Sequence, residues 1–167
     1  NADKTSPYYI GMLTVYKESD NKNQSLVDGQ QRFTVLNLMG IAFGTEKWRT
    51  FVKLSNGGFR LKFFARKNDE EYIRRIFEKT PDDENKNYIN KKMENGIKTI
   101  KRFVDSIEGN NNKENFIDYV YDKATFFTSE LPENYDSQDL NRYFEAMNSA
   151  GKGLENHEIL KVNLLKI

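Results

Sequence analysis

Residues 25–36 read SLVDGQQRFTVL, and this stretch decides how the rest of the chain is interpreted. Residues 25–27 have the composition of a short strand. The apolar run that follows predicts a helix to Phe43 that is buried on nearly every side. Five residues join the two elements and form the DGQQR motif: Asp28, Gly29, Gln30, Gln31 and Arg32.

Two interpretations of the DGQQR motif follow from the residues alone. In the first, Asp28 is the N-cap of the helix and Gln31, three residues later, completes a capping box. In the second, the unpaired first-turn amides form an anion site, which Gly29 lets a phosphate approach. Gln30 then offers hydrogen bonds from its side-chain amide, and Arg32 makes two parallel hydrogen bonds to phosphate oxygens. Asp28 holds a metal-bound phosphate or orients Arg32. An arginine in an apolar helix is costly to bury without a partner, which favours the second interpretation.

Working outward from the motif, the sequence predicts an α+β chain that is mostly helical, with a small mixed sheet. Besides residues 25–27, strands are predicted at residues 8–16, 59–64 and 124–131. Further helices are predicted at residues 46–54, 68–79, 83–107, 114–121 and 137–147, and from residue 156 onward. Asn68 and Ser137 are the expected N-caps of two of them. The long helix carries one apolar stripe: Ile89, Met93, Ile97, Ile100, Val104 and Ile107.

The composition excludes several classes of site. The chain has no Cys and one His, His157, so disulfides, zinc–thiolate sites, cysteine nucleophiles and sites with several histidines are excluded. We predict no metal site made by the side chains alone. No apolar run approaches the roughly 18 residues of a membrane span, so we expect a cytoplasmic protein with no membrane partner. The chain ends inside an apolar helical pattern, which predicts a fragment of a longer protein.

The charge balance is close to neutral but uneven along the chain. Lys and Arg number 26 and Asp and Glu 25, a net charge of +1 that excludes a simple polybasic nucleic-acid binder. Residues 1–64 carry an excess of basic groups, whereas residues 110–167 carry an excess of acidic groups. A loosely basic helix face is predicted as a solvated surface, with DNA phosphate contact as the alternative: Lys91, Lys92, Lys98, Lys101 and Arg102.

Three segments of the chain resemble one known family. Residues 25–36 resemble the D-G-Q-Q-R signature of the domain-of-unknown-function family 262, the sensor half of GmrSD-type modification-dependent restriction proteins. Residues 8–11 (YYIG) resemble its Y-F-L-G strand, and residues 144–154 (FEAMNSAGKGL) resemble its F-x-x-L-N-x-R-G-x-x-L segment. The chain departs from the last pattern at Ala150, where the family often has Arg, and at Gly153, where it often has Pro.

The resemblance implies a ParB/sulfiredoxin-like fold whose G-x-x-R element, here Gly29 and Arg32, binds phosphate or nucleotide. It implies that a nucleoside triphosphate, with Mg²⁺, is bound or hydrolysed and regulates a downstream HNH-type nuclease domain that acts on DNA. The side chains assigned to catalysis are Asp28, Gln31 and Arg32. Those assigned to nucleotide binding are Gly29, Gln30, Arg32, Asn148 and Lys152. Residues 1–64 are expected to form the ParB-like part, and residues 65–167 a helical part of the same compact domain with one returning strand.

Several alternatives stay open at this point. The polar turn predicted at residues 148–153 is also a normal helix C-cap, and His157 is an ordinary residue at a helix start. The whole chain is alternatively a ParB-like DNA-binding or nicking domain. A third alternative is a protein-interaction module without a ligand, in which the DGQQR motif only starts a helix.

Overall fold

The computed structural model describes residues 6–17, 24–79 and 88–150, with side chains described to residue 147. The described part is α+β and mostly helical, as predicted. In chain order its elements are β1 (Tyr8–Lys17), β2 (Gln24–Asp28), α1 (Gln30–Phe43), α2 (Glu46–Val52), α3 (Lys67–Glu78), α4 (Lys91–Ser106), α5 (Asn110–Lys123), β3 (Ala124–Glu130) and α6 (Ser137–Ala150). None of the helices in these ranges is long and apolar enough to cross a membrane.

The three strands form a mixed sheet in the order β2-β1-β3. Strands β1 and β2 are antiparallel, with Val15 opposite Leu26 and Thr14 opposite Asp28. The register therefore shifts between Thr14 and Val15, and Val27 has no residue opposite it on β1. Such an extra residue is a β-bulge, which bends a strand and redirects the side chains that follow it.

The chain divides into two compact units. Among the described residues, the helical unit contains residues 6–10, 31–79 and 88–125, and the sheet unit contains residues 11–17, 24–30 and 126–150. These bounds differ from the division expected at residue 64, which stays a prediction.

The helical unit has an apolar core to which α1, α3, α4 and the segment between α2 and α3 contribute. Its buried members are Leu38, Leu61, Phe63, Tyr72, Ile73 and Met93. Ile89, Ile97 and Ile100 are partly buried against this core. The predicted apolar stripe is therefore confirmed as a core-facing row at four of its members, Ile89, Met93, Ile97 and Ile100.

Helices α1 and α2 lie very close together in the same unit. A Cβ atom added to Gly40 of α1 would lie 2.7 Å from Cγ2 of Val52 and 3.0 Å from Cε3 of Trp48. Trp48 is almost fully buried, and the rings of Phe43, Phe51 and Tyr121 surround it edge to face. Glycine at position 40 thus permits an aromatic cluster to form beneath α1.

The strand predicted at residues 59–64 is wrong for the described part of the chain. Only Phe59 makes a ladder contact, an isolated bridge to Lys53 across a turn that contains Gly57. Leu61 and Phe63 instead bury their side chains in the helical core. The alternating apolar pattern reflects alternate side chains entering that core, and no partner strand is needed for it.

Several helix starts also differ from the prediction. Helix α3 begins at Lys67 with Arg66 at its N-cap, so Asn68 lies inside the first turn. Helix α4 begins at Lys91, because Oδ1 of Asn90 accepts the backbone N–H groups of Lys92 and Met93, each at 3.1 Å. Residues 83–87, which were included in that predicted helix, lie outside the described residues.

The last described helix extends at both ends beyond the prediction. Oδ1 of Asp136 accepts the N–H groups of Gln138 and Asp139, so Asp136 caps α6 and Ser137 is its first residue. The helix continues through Asn148 to Ala150, where a turn was expected. Helix α5 is also longer than predicted, since it starts at Asn110. Residues 18–23 lie outside the described residues, as do the rest of the predicted turn from residue 151, the helix predicted from residue 156, and His157.

Candidate functional site

The DGQQR motif forms the junction between strand β2 and helix α1. Asp28 is the last residue of β2, where it pairs with Thr14, and α1 begins at Gln30. Gly29 joins the two elements with a φ of +84°, a conformation that residues with a side chain rarely adopt. The motif therefore needs glycine at this position for a backbone reason, apart from any ligand.

The predicted capping box is wrong. Because α1 begins at Gln30, Gly29 occupies the N-cap position and Asp28 precedes it as a residue of the strand. Gln31 is then the second residue of the helix, one position short of the place that a capping box requires. Asp28 remains in the sheet because the bulge at Val27 carries the β2 pairing one residue further along the chain.

Gln30 ties the start of the helix to the preceding strand. Its Nε2 donates to the backbone oxygen of Leu26 at 2.8 Å, across the turn at Gly29. The side chains of Gln30, Gln31 and Arg32 are exposed, whereas Asp28 is only partly accessible and Gly29 is buried. The first turn of α1 thus presents two amides and a guanidinium group at the surface.

The exposure of this turn corrects two expectations about α1. Arg32 is exposed, so it has no burial cost that would require a partner. The helix is also not buried on every side: its buried residues are Leu36, Asn37, Leu38 and Gly40, while Val35 is 50 % exposed. A phosphate-binding role for Arg32 is therefore supported by its position in the first turn of α1 and by its exposure to solvent.

The two binding residues expected from the far end of the chain are only partly placed. Asn148 lies near the C-terminal end of α6, a helix that contacts strand β2 within the sheet unit. The side chain of Asn148 and the whole of Lys152 lie outside the described residues. The structure thus brings the helix that carries Asn148 against the strand that ends in the motif.

The sequence did not single out Thr14, which the strand register places directly opposite Asp28. Thr14 is 0 % exposed, and its Oγ1 has no hydrogen-bond partner within the described residues. A threonine between Leu13 and Val15 is an ordinary strand residue by composition. Only the register, which the bulge at Val27 shifts, links it to the motif.

A cleft, separate from the DGQQR motif, lies within the helical unit between α2 and the end of α3. It is an open cleft of about 750 Å³ lined by three basic side chains, Arg49, Lys53 and Arg60, and by two acidic ones, Glu46 and Glu78. The guanidinium carbon of Arg49 lies 4.3 Å from the centre of the Phe77 ring, and that of Arg60 lies 5.0 Å from the centre of the Phe51 ring. Nζ of Lys53 lies 3.0 Å from Oε1 of Glu78, so this charge is neutralised locally.

To hold a metal ion by itself, a protein needs several ligating side chains that lie close together. Across the described ranges, no group of three or more His, Cys, Asp or Glu side chains converges on one point. Mg²⁺ bound together with a nucleotide needs fewer protein ligands, because phosphate oxygens and waters complete its shell. Asp28 is the one residue of the DGQQR motif that bears a carboxylate.

Comparison with known proteins identifies the family of the chain. The family described as the GmrSD restriction endonuclease N-terminal domain matches residues 2–165. No curated protein and no solved structure matches the chain. Since the match includes both the strand β1 and the DGQQR junction and extends over nearly the whole sequence, the chain belongs to the family of GmrSD restriction endonuclease N-terminal domains, as part of a GmrSD-like restriction protein.

Proposed function

We propose that this chain is the nucleotide-binding sensor domain of a GmrSD-like modification-dependent restriction protein that acts on phage DNA in the bacterial cytoplasm. The HNH-type nuclease that it regulates is a downstream domain. The observation that carries the proposal is the buried Gly29 turn, with φ +84°, directly before an exposed first helical turn that bears Arg32.

The chemistry of this junction suits a phosphate group. The first N–H groups of α1 have no partner inside the helix and lie at the positive end of its dipole. Gly29 adds no side chain that would keep a phosphate away from the backbone. Arg32 offers a planar pair of donors and a full positive charge to the phosphate oxygens. Gln30, the first residue of the same turn, adds a second exposed polar side chain at the start of the helix.

The remaining assigned residues complete the proposed site. Asp28 would contribute its carboxylate to the Mg²⁺ ion of the nucleotide, and Asn148 and Lys152 are the two further residues that we assign to nucleotide binding. If the triphosphate is hydrolysed, Asp28, Gln31 and Arg32 are the side chains that act on it. Nucleotide binding would then bias the state of the nuclease domain.

The test is thermal unfolding of the chain with ATP, GTP, CTP or UTP, each with Mg²⁺. A ligand at 100 times its dissociation constant stabilises by about 2.7 kcal/mol. For a chain of this size this corresponds to a rise of roughly 5–11 °C in Tm. We expect the rise for at least one nucleotide, its loss in Arg32→Ala, and its retention in Arg102→Ala, which removes an exposed arginine of α4. The absence of a rise for all four nucleotides would contradict the proposal.

A second candidate function, DNA binding, is favoured by the cleft of the helical unit. Arg49 and Arg60 are exposed and held over aromatic rings, so their positions are fixed while their guanidinium groups stay accessible to solvent. An open cleft with fixed guanidinium groups suits the backbone of a nucleic acid. The salt dependence of DNA binding distinguishes this function from nucleotide sensing.

A further inference from the structure

The hydroxyl group of Thr14 is a buried polar group that the proposed function has not used. Thr14 is 0 % exposed, and within the described ranges Oγ1 neither donates nor accepts a hydrogen bond. A buried hydroxyl without a partner is costly, whereas valine has the same shape without that cost. Its neighbours Leu13 and Val15 are both buried apolar residues, so valine would suit this strand.

The strand register indicates which group the hydroxyl serves. Residues directly opposite each other on antiparallel strands project to the same face, with Cβ atoms about 4.5–5.5 Å apart. Thr14 and Asp28 form such a pair, because the bulge at Val27 places Asp28 there. Facing residues at this separation can join a hydroxyl to a carboxylate by a hydrogen bond across the two strands.

We propose that Thr14 is a positioning residue for Asp28, and this inference rests on the proposed nucleotide function. When a magnesium–nucleotide complex is bound, the Thr14 hydroxyl donates to one carboxylate oxygen of Asp28. The other oxygen is then held toward the metal ion. Because Thr14 is fully buried, it acts through Asp28 and does not touch the ligand itself.

The experiment compares Thr14→Val and Thr14→Ser with the wild-type chain. Thr125→Val is the control, since Thr125 of strand β3 already donates its hydroxyl to the backbone oxygen of Lys123 at 3.0 Å. Thr14→Ala is a second variant without the hydroxyl, in case valine is not accommodated. Tm is measured without ligand, and affinity for ATP, GTP, CTP and UTP is measured by calorimetry with Mg²⁺ and with EDTA.

We expect Thr14→Val to unfold at the wild-type temperature or above it and to bind the magnesium–nucleotide complex about tenfold more weakly, the loss expected for one hydrogen bond to a charged group. Binding in EDTA should be unchanged, Thr14→Ser should restore affinity, and Thr125→Val should bind normally. In an Asp28→Asn background, Thr14→Val should have no further effect, because the two side chains act as one unit.

Each contrary result has a definite meaning. Wild-type affinity in Thr14→Val, together with loss of binding in Arg32→Ala, would overturn the role of Thr14 and leave the nucleotide function standing. An equal loss of affinity with Mg²⁺ and with EDTA, accompanied by a lower Tm, would make Thr14 a structural residue and would also overturn the inference. Failure of the wild-type chain to bind any of the four nucleotides would overturn both proposals.

Discussion

The phenolic hydroxyl of Tyr88 donates to Oδ1 of Asp69 at 2.9 Å and so joins the segment before α4 to the first turn of α3. Nδ2 of Asn90 donates to the same oxygen at 2.8 Å, and a guanidinium nitrogen of Arg66 lies 3.1 Å from Oδ2. Asp69 is only 2 % exposed, so these three partners satisfy a charge that would otherwise be costly to bury. One carboxylate therefore connects both helices.

Replacing Asp69 should strongly destabilise the fold. Asp69→Ala removes the buried carboxylate that accepts from Tyr88, Asn90 and Arg66, and we expect a loss of about 3 kcal/mol. At this chain length the loss corresponds to a fall of roughly 6–12 °C in Tm, measurable by calorimetry. Glu71→Ala is the control, because Glu71 lies on the same helix but pairs with Arg74 in solvent. A change below about 1 kcal/mol for Asp69→Ala would mean that water replaces the carboxylate.

The same contact predicts a pH dependence at the alkaline end. The hydrogen bond to Asp69 raises the pKa of Tyr88 above its usual value of 10.0, and burial and the charge of Asp69 act in the same direction. A folded-state pKa above the unfolded one contributes stability that is present below pH 10 and is lost as the pH rises through the folded value.

Accordingly, the free energy of unfolding of Tyr88→Phe should fall less steeply above pH 10 than that of the wild type. Denaturant titrations at a series of pH values from neutral to alkaline measure this difference. Tyr121→Phe, which alters a ring packed against Trp48, is the control for general alkaline effects. Parallel curves for Tyr88→Phe and the wild type would show that the contact does not persist in solution.

Gly29→Ala should destabilise the β2–α1 junction. A side chain at a φ of +84° costs about 1–2 kcal/mol. Urea unfolding measures this cost, and Gly29→Asn should lose less, since asparagine tolerates the left-handed region better. If alanine were as stable as glycine here, the turn would have to adopt a different conformation.

Gly40→Ala and Gly96→Ala form a matched pair with opposite expected signs. The Cβ atom that Gly40→Ala adds would overlap Val52 at 2.7 Å, so we expect a loss of about 1–3 kcal/mol. A Cβ at position 96 of α4 would lie 3.4 Å from Cδ1 of Leu38, an ordinary contact. Alanine there should stabilise the helix by about 0.5–1 kcal/mol. A Tm at or above the wild-type value for Gly40→Ala would contradict the helix packing described for Gly40, and a lower Tm for Gly96→Ala would contradict the ordinary contact described at position 96.

The cleft of the helical unit predicts how DNA binding would respond to salt. If Arg49 and Arg60 contact phosphates, affinity for duplex DNA should fall steeply between low and moderate salt. Arg49→Gln and Arg60→Gln should each reduce the slope of log K against log salt by about 1. Lys91→Gln, on the exposed face of α4, should leave the slope unchanged. A wild-type affinity for DNA that does not change with salt concentration would exclude DNA binding by this cleft.

Strands β1 and β3 and the end of α1 could be predicted because their signals are local: β-branched and aromatic runs, and an apolar run that ends at Gly44. The starts of α3, α4 and α6 could not be predicted as well. Each has several polar residues that are suitable N-caps, and the choice between them depends on neighbouring elements. At α4 the cap is Asn90, which is also held by its hydrogen bond to Asp69.

The candidate site was predicted in its residues but not in its geometry. The order of residues identifies the DGQQR motif, yet it does not show that Asp28 belongs to the strand and that Gly29 occupies the N-cap position. It also does not identify Thr14, whose importance depends on its pairing with a residue of the next strand. Long-range register and the burial of a single hydroxyl have no local sequence signal.

The bulge at Val27 makes the number of residues before the motif as important as their identity. Without Val27, the aspartate of the motif would follow Leu26 directly and would still lie opposite Thr14, in a regular ladder without the bend that a bulge introduces. A substitution at Val27 would therefore change local packing, whereas its deletion would straighten the end of β2. The bulge residue thus sets the direction in which the chain leaves the sheet, and with it the direction of the first turn of α1.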